Sequence, residues 1–293
     1  MTGIYKSQEG QKLVMERYRE LLEHWPVAYS EMRIPTREGE TFAIASGEES
    51  APPVLLMHGS LANAASWIGN MALWAQHFRV YAIDMIGEPG FSAPSRPPLA
   101  TDAYVDWLDD VLVGLGLEQT ALVGISLGGW LAVDYATHRP ERVSAMALIS
   151  PGGIGKQKVG ILFKMIFFSV LGNWGRRKLR ETILGQLSFD VTPNAKRLLG
   201  LLDAIHRHVR PRMEKLPVAG DAALKRLTMP VLTILGAGDV LLDSADTRRR
   251  IETITGNAKI VYIEDAGHYP PGQTSVIAEF LKSIYAKKQE HRN

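Results

Sequence analysis

Residues 120–130 read TALVGISLGGW, and this stretch decides the fold. Thr120–Val123 is a short apolar run with no polar alternation, as expected of a strand buried on both faces. It runs straight into Gly124–Ile125–Ser126–Leu127–Gly128, followed by Gly129, and then into a helical pattern that reaches about His138. Strand, G-x-S-x-G turn and helix together form the nucleophile-elbow pattern. Small neighbours let the backbone pass closely through a strained turn, which lifts the serine hydroxyl out of the sheet toward the positive end of the helix. Without that context, the same residues would be a glycine-rich turn with an incidental serine.

The same scheme repeats outward from this point. Val54–Met57, Val80–Ile83 and Val143–Ile149 are further short apolar runs, and helical segments at Ser66–Gln76 and Asp102–Leu115 separate them. Such alternation implies parallel strands joined by right-handed crossovers, with ligands bound beyond the carboxyl ends of the strands. Upstream lie an amphipathic helix at Gln8–Trp25 and two strands, Ala28–Ile34 and Glu40–Ala45, with a turn at Arg37–Glu38–Gly39 between them. Downstream the scheme pauses from Ile154 to Leu227, a helical stretch punctuated by Pro193, Pro211 and Pro217. It then resumes with Val231–Leu235, Ser244–Thr255, Lys259–Ile263 and Thr274–Lys287. The expected division is an α/β core of residues 1–153 and 228–293, with a helical cap at 154–227.

Three residues far apart in the chain fit one piece of chemistry. A serine hydroxyl is a weak nucleophile and needs an adjacent base. His268, in Asp265–Ala266–Gly267–His268–Tyr269–Pro270 after the last strand, is the best placed of the eight histidines. His24, His77, His138 and His291 fall near helix ends, and His206 and His208 belong to the insertion. The base in turn needs a carboxylate to fix its tautomer. Asp239, in Gly236–Ala237–Gly238–Asp239 at the end of Val231–Leu235, fills that role. Its rivals are Asp243, which suits a helix cap, and Asp265, which suits a turn. The oxyanion requires two backbone N–H groups. One is expected from Leu127. The other is expected from the loop His58–Gly59–Ser60–Leu61, with Ser60 ahead of Leu61. His58 reads as a shaper of that loop rather than a second base. The expected pocket residues are Leu61, Trp67, Phe163 and Phe167.

Five motifs in order carry a resemblance: His58–Gly59, Asp84 with Gly87–Glu88–Pro89–Gly90–Phe91–Ser92, Gly124–Gly129, Gly236–Asp239 and Gly267–His268. From about Ile34 to the C-terminus, the chain resembles the α/β-hydrolase superfamily. Within it, the chain is most similar to small carboxylesterase-like and meta-cleavage-product hydrolases. The resemblance implies an eight-stranded, mostly parallel sheet with helices on both faces and a helical cap after the sixth strand. It also implies a serine–acid–histidine chain order, which Ser126, Asp239 and His268 follow. Ser126 stands against dehalogenase and epoxide hydrolase chemistry, which use an aspartate nucleophile. Ser60–Leu61–Ala62–Asn63 replaces the Gly-Pro-Gly stretch usual in the carbon–carbon hydrolases.

Composition bounds the rest. The 293 residues hold 33 basic and 31 acidic side chains, which gives no strong positive field for nucleic acid. There is no cysteine, so disulfides, Cys-based zinc sites and thiol nucleophiles are excluded. The N-terminus lacks an apolar signal region, and the longest apolar stretch, Val159–Leu171, is too short to span a bilayer. A cytoplasmic hydrolase of a small, largely apolar ester-like substrate is expected, with no metal or organic cofactor required. Two alternatives remain: carbon–carbon bond hydrolysis, with Arg177, Arg207 or Arg210 holding a substrate carboxylate, and a non-catalytic binding protein on the same fold.

Overall fold

The computed structural model describes residues 3–158 and 192–290, with Gly172, Trp174, Gly175, Lys178 and Thr182 between them. Its centre is one eight-stranded sheet: β1 (Tyr29–Ile34), β2 (Thr41–Ser46), β3 (Pro53–Met57), β4 (Arg79–Ile83), β5 (Thr120–Ile125), β6 (Val143–Ile149), β7 (Val231–Gly236) and β8 (Ala258–Ile263). The order across the sheet is β1-β2-β4-β3-β5-β6-β7-β8. β1 with β2 and β2 with β4 are antiparallel, and every other neighbouring pair is parallel.

The lack of polar alternation in the central strands has a direct physical cause. Val54 and Leu56 of β3 enter one apolar cluster, while Leu55 and Met57 enter the other, on the opposite face. Each such side chain taken from water contributes about 2 kcal/mol, so both faces demand apolar residues. The helices α2 (Ile68–Trp74), α3 (Ala103–Gly114), α4 (Leu127–His138), α7 (Ser244–Ile254) and α8 (Gln273–Glu290) supply the covering layers. The central strand β5 and helix α4 are buried along nearly their whole lengths.

The insertion between β6 and β7 contributes α5 (Pro193–His208) and the short α6 (Asp221–Leu224) among the described residues. Helix α5 packs on α1 (Gln8–Leu22), and Leu201, Ala204 and Ile205 share an apolar cluster with Val14, Tyr18 and Leu21. An isolated antiparallel bridge joins Tyr5 to Val209, and Lys6 N–H donates to His208 O at 2.8 Å. The N-terminal segment is therefore fastened to the insertion as well as to the sheet. Among the described residues, no helix is long and apolar enough to cross a membrane.

Candidate active site

The turn after β5 holds Ser126 at φ 54 and ψ −109, a left-handed backbone that a serine adopts only under constraint. Three backbone hydrogen bonds impose it. Ser126 N–H donates to Ile149 O at 3.1 Å, and Ser126 O accepts from Trp130 N–H at 2.9 Å and Gly152 N–H at 3.0 Å. Two glycines make the turn sterically allowed. A Cβ on Gly124 would fall against the Gly128 carbonyl, and one on Gly128 would fall against the Met57 carbonyl. Leu127 opens α4, so its N–H has no intrahelical acceptor.

The second component stands two strands away, with β6 between β5 and β7. Asp239 follows β7 and is buried, as is His268 in the loop after β8. His268 Nδ1 lies 2.7 Å from Asp239 Oδ2. The other carboxylate oxygen, Oδ1, accepts from Leu241 N–H at 2.8 Å and Leu242 N–H at 3.1 Å. The carboxylate is thus held on both sides, and its contact fixes the proton on Nδ1 of the neutral ring. Nε2 takes part in no hydrogen bond among the described residues, and none joins His268 to Ser126 Oγ. Lys158, in the first residues of the insertion, donates from Nζ to the main-chain carbonyl of Asp239 at 2.7 Å.

The rival acids are placed elsewhere. Asp243 caps α7, accepting from Asp246 N–H at 3.0 Å, and Asp265 is exposed. Of the insertion histidines, His206 lies exposed with Nδ1 2.8 Å from Leu202 O of its own helix.

The third component is the loop after β3. A Cβ built on Gly59 would lie 3.6 Å from Ser126 Cβ, so this loop passes directly beside Ser126. Its two candidate donors are not equivalent. Leu61 N–H donates to Glu88 Oε2 at 2.7 Å and is already spent. Ser60 N–H meets no acceptor among the described residues. Leu61 itself has φ 55, unusual for a leucine. His58 uses both ring nitrogens: Nδ1 lies 2.7 Å from Gly59 O, and Nε2 accepts from Met85 N–H at 2.9 Å. Burial holds its pKa down at about 4 against the opposing pull of the Gly59 bond, so the ring stays neutral and has no free nitrogen to act as a base.

Two buried acids support this loop from the β4 side. Asp84 accepts from Tyr18 OH at 2.9 Å, Ala64 N–H at 2.8 Å and Phe91 N–H at 2.7 Å. Burial still raises its pKa to about 6. Glu88, from the Gly87–Gly90 stretch, is pushed up to about 7, mainly by burial; the Leu61 amide and the Arg96 and Arg212 guanidinium groups partly oppose the shift. Neither role is visible from residue spacing. The only hint in the sequence is a pair of acids in a stretch otherwise built for a buried turn.

The expected pocket residues fare unevenly. Leu61 is half-buried beside the site. Trp67 departs from expectation: it is 1% exposed in the core, its ring 5.8 Å from that of Trp74, and has no free face to line a cleft. Burying an indole against another aromatic outweighed its proximity in sequence to the loop after β3. Phe163 and Phe167 lie outside the described residues. A separate cavity of about 320 Å³, lined by Lys156, Asp221, Asp246 and Arg250 among others, includes none of Ser126, Asp239, His268, Ser60 and Leu61. There, Arg249 pairs with Asp246 and Arg250 with Asp221.

The alpha/beta hydrolase fold family matches residues 52–220. The chain belongs to that family. It is 31% identical over 257 residues to carboxylesterase YbfK of Bacillus subtilis, a match covering 86% of each chain. The crystal structure of naproxen esterase (carboxylesterase NP) from Bacillus subtilis superimposes with a TM-score of 0.81 at 27% identity, covering 96% of this chain and 99% of that one. A meta-cleavage product hydrolase from Pseudomonas fluorescens IP01 shares the fold, with a TM-score of 0.70 at 21% identity over 88% of this chain and 98% of that one. This α/β-hydrolase is a carboxylesterase-like enzyme with an eight-stranded, mostly parallel sheet.

Proposed function

We propose that this α/β-hydrolase cleaves a carboxylic ester of a small, largely apolar substrate through an acyl-enzyme on Ser126. The carrying observation is the buried 2.7 Å pair of His268 Nδ1 and Asp239 Oδ2 at the same carboxyl end of the parallel strands as the strained Ser126. With Nδ1 committed to the carboxylate, Nε2 is left to take the proton from Ser126 Oγ as the oxygen attacks the ester carbonyl. The tetrahedral oxyanion rests on the N–H groups of Leu127 and Ser60. His268 then protonates the leaving alkoxide, and a water activated by the same nitrogen releases the acid and restores the serine. We take residues 154–227 as the cap, and the apolar run Val159–Leu171 in their sequence favours an apolar acyl or alkyl group.

The test is a serine-directed fluorophosphonate together with Ser126→Ala. One adduct mapped to Ser126, and loss of p-nitrophenyl ester turnover in the variant, are expected. Full turnover by Ser126→Ala overturns the reading. The carbon–carbon alternative gains no supporting observation. The Arg210 guanidinium is bound to the carbonyls of Gly3 and Tyr5, Arg207 is exposed, and Arg177 lies outside the described residues.

A further inference from the structure

Leu61 presents a problem that the triad does not solve. Its left-handed backbone costs about 1–2 kcal/mol for a leucine, and the strained turn directly follows Ser60, whose N–H is the free candidate donor. Something must hold the turn in place. The loop is tied to the β4 loop at three successive points. Leu61 N–H donates to Glu88 Oε2 at 2.7 Å, Asn63 Nδ2 donates to Pro89 O at 3.0 Å, and Ala64 N–H donates to Asp84 Oδ1 at 2.8 Å. The first tie is the one at the strained residue. It is made by a side chain 2% exposed, where a hydrogen bond to a carboxyl group is worth more than it is in water.

We infer that Glu88 is a positioning residue for the oxyanion hole: its carboxyl group captures Leu61 N–H, locks the loop in its left-handed turn, and so aims Ser60 N–H at the developing oxyanion. This rests on the ester-hydrolase reading above. Capturing one amide removes it from competition, which explains why Ser60 rather than Leu61 is left free. The Glu88 backbone is itself fixed, because Glu88 N–H donates to Met85 O at 3.2 Å and Gly87 N–H to Ala93 O at 2.9 Å. Arg96 extends the support outward. Its Nε donates to Gly87 O at 2.7 Å and its Nη2 to Arg210 O at 3.0 Å, linking the β4 loop to the end of the insertion helix.

The experiment compares three full-length variants with the wild type. Glu88→Gln keeps a carbonyl acceptor for Leu61 N–H, Glu88→Asp keeps the charge but withdraws the acceptor by one methylene, and Glu88→Leu abolishes it. Each is measured for kcat and KM on a p-nitrophenyl ester, for inhibition by a trifluoromethyl ketone, and for thermal unfolding. The ketone forms a hemiketal whose oxyanion occupies the hole. Misaiming one oxyanion donor costs on the order of 100-fold. Glu88→Leu is expected to lose kcat by about that factor with KM within about threefold. Its ketone inhibition constant should rise in parallel, Glu88→Asp should fall between, and Glu88→Gln should keep most of the activity.

Wild-type kcat in Glu88→Leu overturns the proposal, as does a kcat loss without a parallel loss of ketone affinity. If Glu88→Leu fails to fold, Glu88→Asp decides by the same two readouts. Fluorophosphonate labelling of wild-type Ser126 separates this test from the broader reading. An unlabelled serine brings down both, whereas a labelled serine with unaffected variants brings down the role of Glu88 alone.

Discussion

The loops after β3 and β4 and the loops after β7 and β8 are built from the same materials, a buried histidine and buried carboxyl groups, yet they are wired differently. In the first region, His58 gives both ring nitrogens to the backbone, and Asp84 and Glu88 bind the amides of the neighbouring loop. In the second, Asp239 binds the imidazole itself, and His268 Nε2 remains uncommitted. Burial and residue type are shared. What separates a scaffold from a candidate acid–base pair is whether a titratable nitrogen is left over after the local hydrogen bonds are made. The scaffold then serves the chemistry indirectly, by fixing where main-chain N–H groups point.

Substitutions test that contrast. The largest effect is expected at His268. His268→Gln should lower ester turnover by about 10⁴-fold, whereas His58→Gln should retain far more activity and lose stability instead. Equal losses of turnover would erase the distinction between the two histidines. The second effect concerns pH. The Glu88 carboxyl group is raised from 4.5 to about 7 in the fold, so the folded state holds this proton more tightly than the unfolded state does. The wild type therefore loses stability from this group as pH rises from about 4.5 through about 7.

Glu88→Gln has no proton to lose. Its stability relative to wild type should increase across that window by on the order of 3 kcal/mol, read from urea unfolding at pH 5 and pH 8. Tyr5, Asp84, Arg96 and Arg212 surround the site in both proteins, so their contributions largely cancel in the difference. A pH-independent difference would show that Glu88 is ionised at little cost.

Third, His58→Leu leaves Met85 N–H buried without its acceptor. The unfolding free energy should drop by about 2 kcal/mol, measured by chemical denaturation. The smallest effect is at Asp243. Asp243→Ala removes the cap of α7 and should cost about 1 kcal/mol while leaving turnover near wild type. A large loss of activity there would mean that Asp243 rather than Asp239 is the functional acid.

Much of this was legible in the chain because the signals are local. Each buried strand writes an unbroken apolar run, and the elbow needs glycine on both sides of Ser126. Asp239 and His268 could be singled out because each closes a strand in a short glycine-containing loop. The arrangement around Leu61 was not legible: Ser60 and Leu61 look alike in sequence, and only the approach of Glu88, 27 residues away, distinguishes their amides. Trp67 misled because an aromatic next to a functional loop reads equally as lining or core. The attachment of α1 to α5 was hidden for a related reason. Amphipathic periodicity shows that a helix has a partner, but not that the partner lies nearly 200 residues on.

That attachment also bears on how the chain is made. The face of α1 that meets α5 cannot be covered until residues near Val209 have left the ribosome. At roughly 5–20 residues per second, the wait is roughly 10–40 s. Through that interval Val14, Tyr18 and Leu21 lack their partners Leu201, Ala204 and Ile205. The nascent protein therefore carries a greasy, unfinished end through most of its synthesis, and it is at this stage that chaperone binding would matter most.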